Sequence, residues 1–182
     1  MAKIGLKYPV YKSKNKSGVI GKAIQADISI SVNEAYLYAD DGVAESDKSF
    51  QSGTITLGID DLSDEIQVEF LGHTQDEETG EITAKGNDEN PYVGIGFYGV
   101  KKVKGARKYR AIWLPKVQFA EPEDTNSTKG DNIEFNTPTI EGTIMLDDNG
   151  VWKKENTFDT EADAIAYLEE KAGITTGGTI EE

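Results

Sequence analysis

The sequence predicts an α+β fold that is mostly β, and three observations carry that prediction. Ile24, Ala26, Ile28, Ile30 and Val32 alternate with Gln25, Asp27, Ser29 and Ser31, the period of two that marks a half-buried strand. Tyr92 to Val100 is rich in aromatic and β-branched residues, and Lys104-Gly105 supplies a hairpin turn into a second such run, Tyr109 to Phe119. Two further segments repeat their apolar residues at helical spacing. Many short strands with two helices define the class.

In chain order, the strand from Ile24 leads into a long segment, 33–53, that breaks the alternation. Long connections in compact domains are usually functional or disordered. Tyr36, Leu37, Tyr38, Val43 and Phe50 make this one too apolar for disorder, so it reads as a long loop, hairpin or arm that buries itself on something. Thr54 and Thr56 then alternate with Ile55, Leu57 and Ile59. Asp61 is placed to cap a helix over Leu62 to Leu71, with Leu62, Ile66 and Phe70 on one face and Gly72 as the stop. Pro115 inside the Tyr109–Phe119 run requires an edge position or a bulge, because proline cannot donate to the ladder. Ile133 and Phe135 form a short strand. Ile140, Ile144 and Leu146 resume the alternation after Pro138, and Asp148-Asn149-Gly150 is a turn leading to Val151-Trp152. Thr160, with Asp163 three residues on, opens the second helix. Ile165, Leu168 and Ala172 face inward there, and Gly173 ends it. Residues 1–174 read as a single domain, and 175–182, small and polar, as a flexible tail.

The chain has 182 residues, no cysteine and a net charge of −14. Without thiols there are no disulfides and no thiolate metal sites. No secretory leader and no membrane-spanning run is expected. So acidic a protein does not hold nucleic acid through its overall field, since phosphate contacts need Lys and Arg. The charge is unevenly spread. Lys3, Lys7, Lys12, Lys14, Lys16 and Lys22 make the start basic, and Lys101, Lys102, Lys104, Arg107, Lys108 and Arg110 form a second basic stretch. Acid gathers at Asp40, Asp41, Glu45 and Asp47, and from Asp76 to Glu89.

Candidate chemistry is thin. Gly94-Ile95-Gly96-Phe97-Tyr98-Gly99 matches a G-x-G-x-x-G pattern, but no helix follows to hold a phosphate at its N-terminus. Glycines that admit a close neighbour explain it better. His73 is the single histidine, with no nucleophile elbow elsewhere to serve. Neither Asp40–Asp47 nor Asp147–Gly150 has calcium-loop spacing. The expectation is no catalytic residue, no metal and no cofactor. The strand residues opposite the apolar faces, including Gln25, Asp27, Ser29, Thr54, Thr56, Glu134, Glu141 and Thr143, contain no Lys or Arg. Hydroxyls and carboxylates without a cation make a wetted surface that repels phosphate, with Asp27, Glu134 and Glu141 as its acids.

One pattern runs through the whole chain. K-Y-R-A-I-W-L-P-K-V-Q-F-A-E-P from Lys108, T-K-G-D-N-I-E-F-N-T-P-T-I-E-G-T-I from Thr128 and G-V-W-K-K-E-N-T-F-D from Gly150 form its densest block. G-L-K-Y-P-V-Y, L-Y-A-D-D-G-V-A-E-S-D, F-Q-S-G-T-I-T-L-G-I-D-D-L and P-Y-V-G-I-G-F-Y precede it in order. This series resembles the major tail proteins of long-tailed bacteriophages, the phi13-type family. The resemblance implies a tail-tube type β-sandwich or barrel with one or two flanking helices. It implies a structural virion protein that assembles into stacked, hexameric rings, a conduit for DNA ejection with no enzymatic activity. It also implies extended loops and terminal arms that join subunits, here an N-terminal arm over 1–18 and the 33–53 segment, whose apolar Tyr36, Leu37, Tyr38 and Phe50 are the expected inter-subunit contacts; if the polar strand face lines the tube, Asp27, Glu134 and Glu141 are the expected lumen-facing residues. The implied partners are other copies, the tape measure, the tail terminator and the baseplate or initiator proteins. DNA passes through the lumen without specific binding, no membrane is involved, and the protein is made in the host bacterial cytoplasm and resides in the phage tail. The competing readings are a tail terminator or carbohydrate-binding tail module, and a hydrolase or metal-dependent enzyme of the same fold.

Overall fold

The computed structural model describes residues 3–21, 23–39, 42–59, 63–123 and 138–174. It is mostly β, with one large antiparallel sheet and, among the described residues, two helices. The strands are β1 (Lys3–Lys12), β2 (Ser17–Val19), β3 (Ala23–Ala39), β4 (Gly42–Ile59), β5 (Thr74–Gln75), β6 (Ile82–Thr83), β7 (Tyr92–Val103), β8 (Ala106–Phe119), β9 (Thr139–Ile144) and β10 (Lys154–Phe158). The helices are α1 (Asp64–Leu71) and α2 (Glu161–Ala172). The large sheet has the order β2-β1-β7-β8-β9-β4-β3, with β10 added beside β8, and β5-β6 is a separate small hairpin.

The long strand β8 organises the sheet. Its first half pairs with β10 (Tyr109↔Phe158 to Trp113↔Lys154), and its end pairs with β9 (Val117↔Ile144, Phe119↔Gly142), while β7 runs along its other side. Between these halves the β7 partner steps from Val93↔Val117 to Ile95↔Leu114, so β8 holds an extra residue beside Pro115. A proline without an N–H fits such a bulge. The sheet bends enough for β3, at one end of the order, to come back against β1 near the other.

Two apolar clusters result. Inside the bend lie Tyr11, Ile20, Ile55, Leu57, Ile59, Val93, Ile95, Phe97, Leu114, Val117, Phe119, Ile140 and Ile144, with Ile66, Phe70 and Leu71 of α1. Phe70 stacks on Phe119 at 4.9 Å and meets Tyr11 edge-on at 5.3 Å. On the other face of β1, β7 and β8, the helix α2 lays Ala164, Leu168 and Ala172 against Val10, Tyr98, Ala111 and Trp113. The central strands are therefore covered on both sides, which is why Val93 to Tyr98 is buried without interruption.

The two glycines of the G-x-G-x-x-G pattern explain how α2 gets close. A Cβ on Gly94 would lie 2.5 Å from the Trp113 ring, and one on Gly96 would lie 2.6 Å from that ring and 2.9 Å from Leu168. Their missing side chains form the slot that the indole fills. The hairpin turn at Lys104-Gly105 has both residues at positive φ, 49° and 86°, the type I′ geometry that suits strand twist.

Several expectations need correction. Residues 1–18 are not a free arm among the described positions: Lys3–Lys12 forms β1, paired on both sides, with Val10 and Tyr11 fully buried. The strand is hard to read because Pro9 breaks its alternation, and the register shifts between Lys7 and Val10, where Tyr8 takes φ 52°. Of the loop, hairpin or arm expected over 33–53, the hairpin is what forms: β3 and β4 pair as far as Ala39↔Gly42, and 40–41 lie outside the described residues. The cap of α1 is Ser63, whose side chain accepts from the Ile66 N–H at 3.4 Å, rather than Asp61. Asp61, Leu62, Ile133, Phe135 and 175–182 lie outside the described residues. The second helix keeps its expected ends, with Thr160 accepting from the Asp163 N–H and Gly173 at φ 71°. Its Ala164 is buried, while Ile165 is half-buried against the same cluster. Leu146 falls beyond β9 and is exposed, and β10 follows Val151-Trp152.

Candidate functional site

The three strands β3, β4 and β9 carry the most distinctive surface. Their registers stack residues into cross-strand rows: Asp27–Thr56–Glu141, Ser29–Thr54–Thr143 and Gln25–Gly58–Thr139. Directly opposed residues of neighbouring strands share a face. The intervening rows, Ala26–Leu57–Ile140 and Ile28–Ile55–Gly142, turn to the core. The outer rows offer hydroxyls, amides and carboxylates, and Asp27 and Glu141 are both exposed. No Lys or Arg stands in them. Lys116 on β8 lies over the Tyr92 ring at 4.6 Å and reaches Asp148 at 4.0 Å, and Lys101 and Arg110 line the same cleft as Gln25 and Asp27. Of the three expected lumen-facing residues, the fold thus brings Asp27 and Glu141 together. Glu134 lies outside the described residues.

Beyond this face, β3 and β4 continue as a two-stranded arm. β9 accompanies β4 only from Gly53 to Gly58, while the β3–β4 ladder extends to Ala39↔Gly42. From Ser31 to Ala39 that is roughly 27 Å at about 3.4 Å per residue. Isolated two-stranded hairpins are marginal in water, so an arm of this length gains from a second surface. Tyr36, Leu37 and Tyr38 stand opposite Ser46, Glu45 and Val43 in its register. Phe50 sits at the root, where its ring stacks on Trp152 at 5.2 Å and 9°. It braces the arm within its own chain. Lys48 and Glu34 pair across the ladder at 2.5 Å. The outer edge of β3 is unpaired among the described residues, and such edges invite another strand.

A third feature is the β7–β8 turn. Lys101 faces Lys108 and Lys102 faces Arg107 directly across the ladder, a like-charge arrangement that costs stability. Lys108 is relieved by Asp159, and Arg110 by Glu155 at 2.5 Å. Lys101, Lys102, Lys104 and Arg107 have no ion pair among the described residues, and the last three are exposed. At the foot of this hairpin an open cleft of about 520 Å³ separates β7 and β8 from the start of β3, lined by Leu6, Ile24, Ala26, Ile28, Phe97, Lys101 and Arg110 among others.

Chemistry of the catalytic kind finds few partners here. His73 is buried, with its Nε2 3.1 Å from Glu121 and its Nδ1 without a hydrogen bond. No three metal-ligating side chains converge among the described residues. Asp147 accepts the Asn149 and Val151 N–H groups at 2.9 and 2.8 Å, and Asp76 accepts those of Glu78 and Thr79, which hold its carboxyl below the usual range. Both are turn-forming roles. Trp113 is buried, and Trp152 has one face covered by Phe50. No helix among the described residues is long and apolar enough to cross a membrane.

Carboxylates instead fasten the helices. Tyr11 Oη donates to Glu65 of α1, Tyr98 Oη to Glu161 of α2, and Tyr8 Oη to Glu169 at 2.8 Å. Burial, reinforced by Glu169, pushes the Tyr8 hydroxyl up to about 12; burial with Glu65 raises Tyr11, and burial with Glu161 raises Tyr98. The Tyr11 hydroxyl and Lys16 hold Glu65 below the ordinary carboxylate range. Sequence reading missed these pairs, because their partners stand far apart in the chain.

The chain matches no protein-family model and no curated protein.

Proposed function

We propose that this chain is a structural subunit that assembles into stacked rings, the tail tube of a long-tailed phage, and that its outer β3-β4-β9 face lines the channel. The observation that carries the reading is the exposed polar face without a cation, Asp27–Thr56–Glu141 with its neighbouring rows. DNA passing such a wall meets hydroxyls and carboxylates, so no counterion is released and no phosphate is held. The long β3–β4 arm and the unpaired β3 edge supply the kind of surface through which copies join. A contact that closes makes a ring, and a second one that does not close stacks rings into a tube. The resemblance of the sequence to phi13-type major tail proteins points the same way, and hexameric rings with tape-measure, terminator and initiator partners come with it. In this reading the protein does no chemistry: it works by packing and by an unadhesive inner wall.

Negative-stain electron microscopy of the purified protein across a concentration series tests it. Rings or hollow tubes of uniform width are expected. A protein that stays monomeric when concentrated, or that forms solid fibres, contradicts it.

A further inference from the structure

The core thins toward one end of the large sheet. Along the inner face of β8, Leu114 is fully buried, Ile112 only partly, and Arg110 follows at the rim. Along β7, Ile95 is fully buried, Phe97 nearly so, and Lys101 stands at the rim. Leu6, Ala26 and Ile28 pack on the same cluster and are likewise only partly buried. The result is the cleft of about 520 Å³, with Leu6, Ala26, Ile28, Phe97 and Ile112 as an apolar floor and Lys101 and Arg110 at its edge. Small-molecule pockets have this size, ~300–1,000 Å³, and this make-up, mostly apolar with a few placed polar groups.

The edge is set up for an anion. Lys101 stands opposite Lys108, which is engaged by Asp159, so Lys101 is left with no ion pair among the described residues. Arg110 gives one nitrogen to Glu155, which is shared with Lys153 at 3.0 Å. A guanidinium has five N–H donors, so Arg110 keeps donors to spare. On the opposite wall Asp27, which accepts from Gln25, also lines the cleft. Its carboxylate turns an anion away from β3 and toward the β7–β8 edge.

We propose that this cleft binds a single-chain anionic amphiphile, with the alkyl tail on the apolar floor and a carboxylate head on Lys101 and Arg110. The tail extends the core over side chains that water now reaches. The head offsets the repulsion between Lys101 and Lys108. A wholly polar polyanion leaves the floor wet, and a neutral lipid leaves the two cations without a partner. The site lies within one chain and does not rest on the assembly reading.

Isothermal titration calorimetry of the dilute protein with dodecanoate, kept below its micelle concentration, tests this. Dodecanoate binds once per chain, and affinity falls about fourfold for each methylene removed through decanoate to octanoate. Dodecyltrimethylammonium binds at least about tenfold more weakly, since it forms no charged hydrogen bond at the edge. Lys101→Glu, which faces Lys108 and so spares the hairpin, lowers dodecanoate affinity by at least about tenfold and raises that of the cation. Ala26→Phe fills the cleft and removes both. Circular dichroism melts check that each variant folds; if Ala26→Phe does not, Ile24→Trp, at a cleft position 55% exposed, takes its place. No saturable binding by the unmodified protein, affinity indifferent to tail length or head charge, or undiminished binding by either variant overturns the proposal. Dimers in sedimentation velocity that these substitutions dissociate also overturn it, because a second copy then fills the cleft. Any of these failures leaves the microscopy test of the tube reading unaffected.

Discussion

Asp27 and Glu141 stand in one cross-strand row, two strands apart, with Thr56 between them. The register that aligns them also sends Ala26, Leu57 and Ile140 to the core. Two exposed carboxylates about 10 Å apart, across two strand intervals, put negative charge on this row.

Replacing both acids, Asp27→Lys with Glu141→Lys, leaves stability within about 0.5 kcal/mol, because both side chains are exposed and Gln25, whose amide donates to Asp27, is exposed too. It converts the row from repelling to attracting phosphate. Assembled protein carrying the pair retains duplex DNA, and the retention falls steeply with salt. Thermal melts and a salt-dependent DNA pull-down check the two halves.

The slot for Trp113 predicts a sharp glycine dependence. Gly96→Ala puts a methyl 2.6 Å from the indole and 2.9 Å from Leu168, so α2 or Trp113 must move, at a cost of ~1–3 kcal/mol. Gly86, with nothing within 4 Å of an added Cβ, accepts alanine with little change. Urea unfolding of the two variants checks the contrast.

The tyrosine–glutamate clasps predict pH dependence at both ends. Glu65, Glu155 and Glu161 are held below their ordinary range, Glu65 and Glu161 mainly by tyrosine hydroxyls and Glu155 by Arg110 and Lys153. Their contribution is present above the free glutamate value of ~4.3 and is lost as pH falls through the lowered folded values. Tyr8 is raised to about 12. Its contribution is whole below the free value of ~10 and is lost as pH climbs toward 12. Melting temperature against pH is therefore flat through neutrality and falls at both limits. Tyr98→Phe lowers stability at neutrality by about 1 kcal/mol, the worth of one hydrogen bond, and makes the alkaline fall shallower.

Phe50 and Trp152 predict a local reporter. Phe50→Ala removes the ring stacked on Trp152, costs ~2 kcal/mol at this half-buried site and wets the indole. Tryptophan emission shifts to the red, while Phe50→Tyr keeps the native spectrum. Limited proteolysis finds the 33–52 arm more readily cut in the alanine variant.

What the sequence made legible follows from which signals are local. The outer and inner rows of β3, β4 and β9 were readable because each strand has one wet face, so Ile28 and Asp27 declare themselves by alternation. The caps Thr160, Gly72 and Gly173 and the Lys104-Gly105 turn were readable because backbone geometry restricts the residue types allowed there. β1 was not, since Pro9 interrupts it and its second face is buried by α2. β10 was not, since its Lys-Glu-Asn-Thr-Phe run is exposed along most of its length and is recruited by the free side of β8. Asp61 lost the cap to Ser63 because both are good capping residues two positions apart, and sequence alone does not rank them. The arm was recognised by its apolar content, but its pairing depends on a register that only the fold reveals.

The central claim is that the β3-β4-β9 outer face lines a channel. A cryo-electron microscopy reconstruction of the concentrated, assembled protein tests it most directly. The account predicts a hollow tube of stacked rings with Asp27, Thr56 and Glu141 on the inner wall. Tubes that carry this row on their outer surface, or concentrated protein that yields no hollow assembly, contradict it.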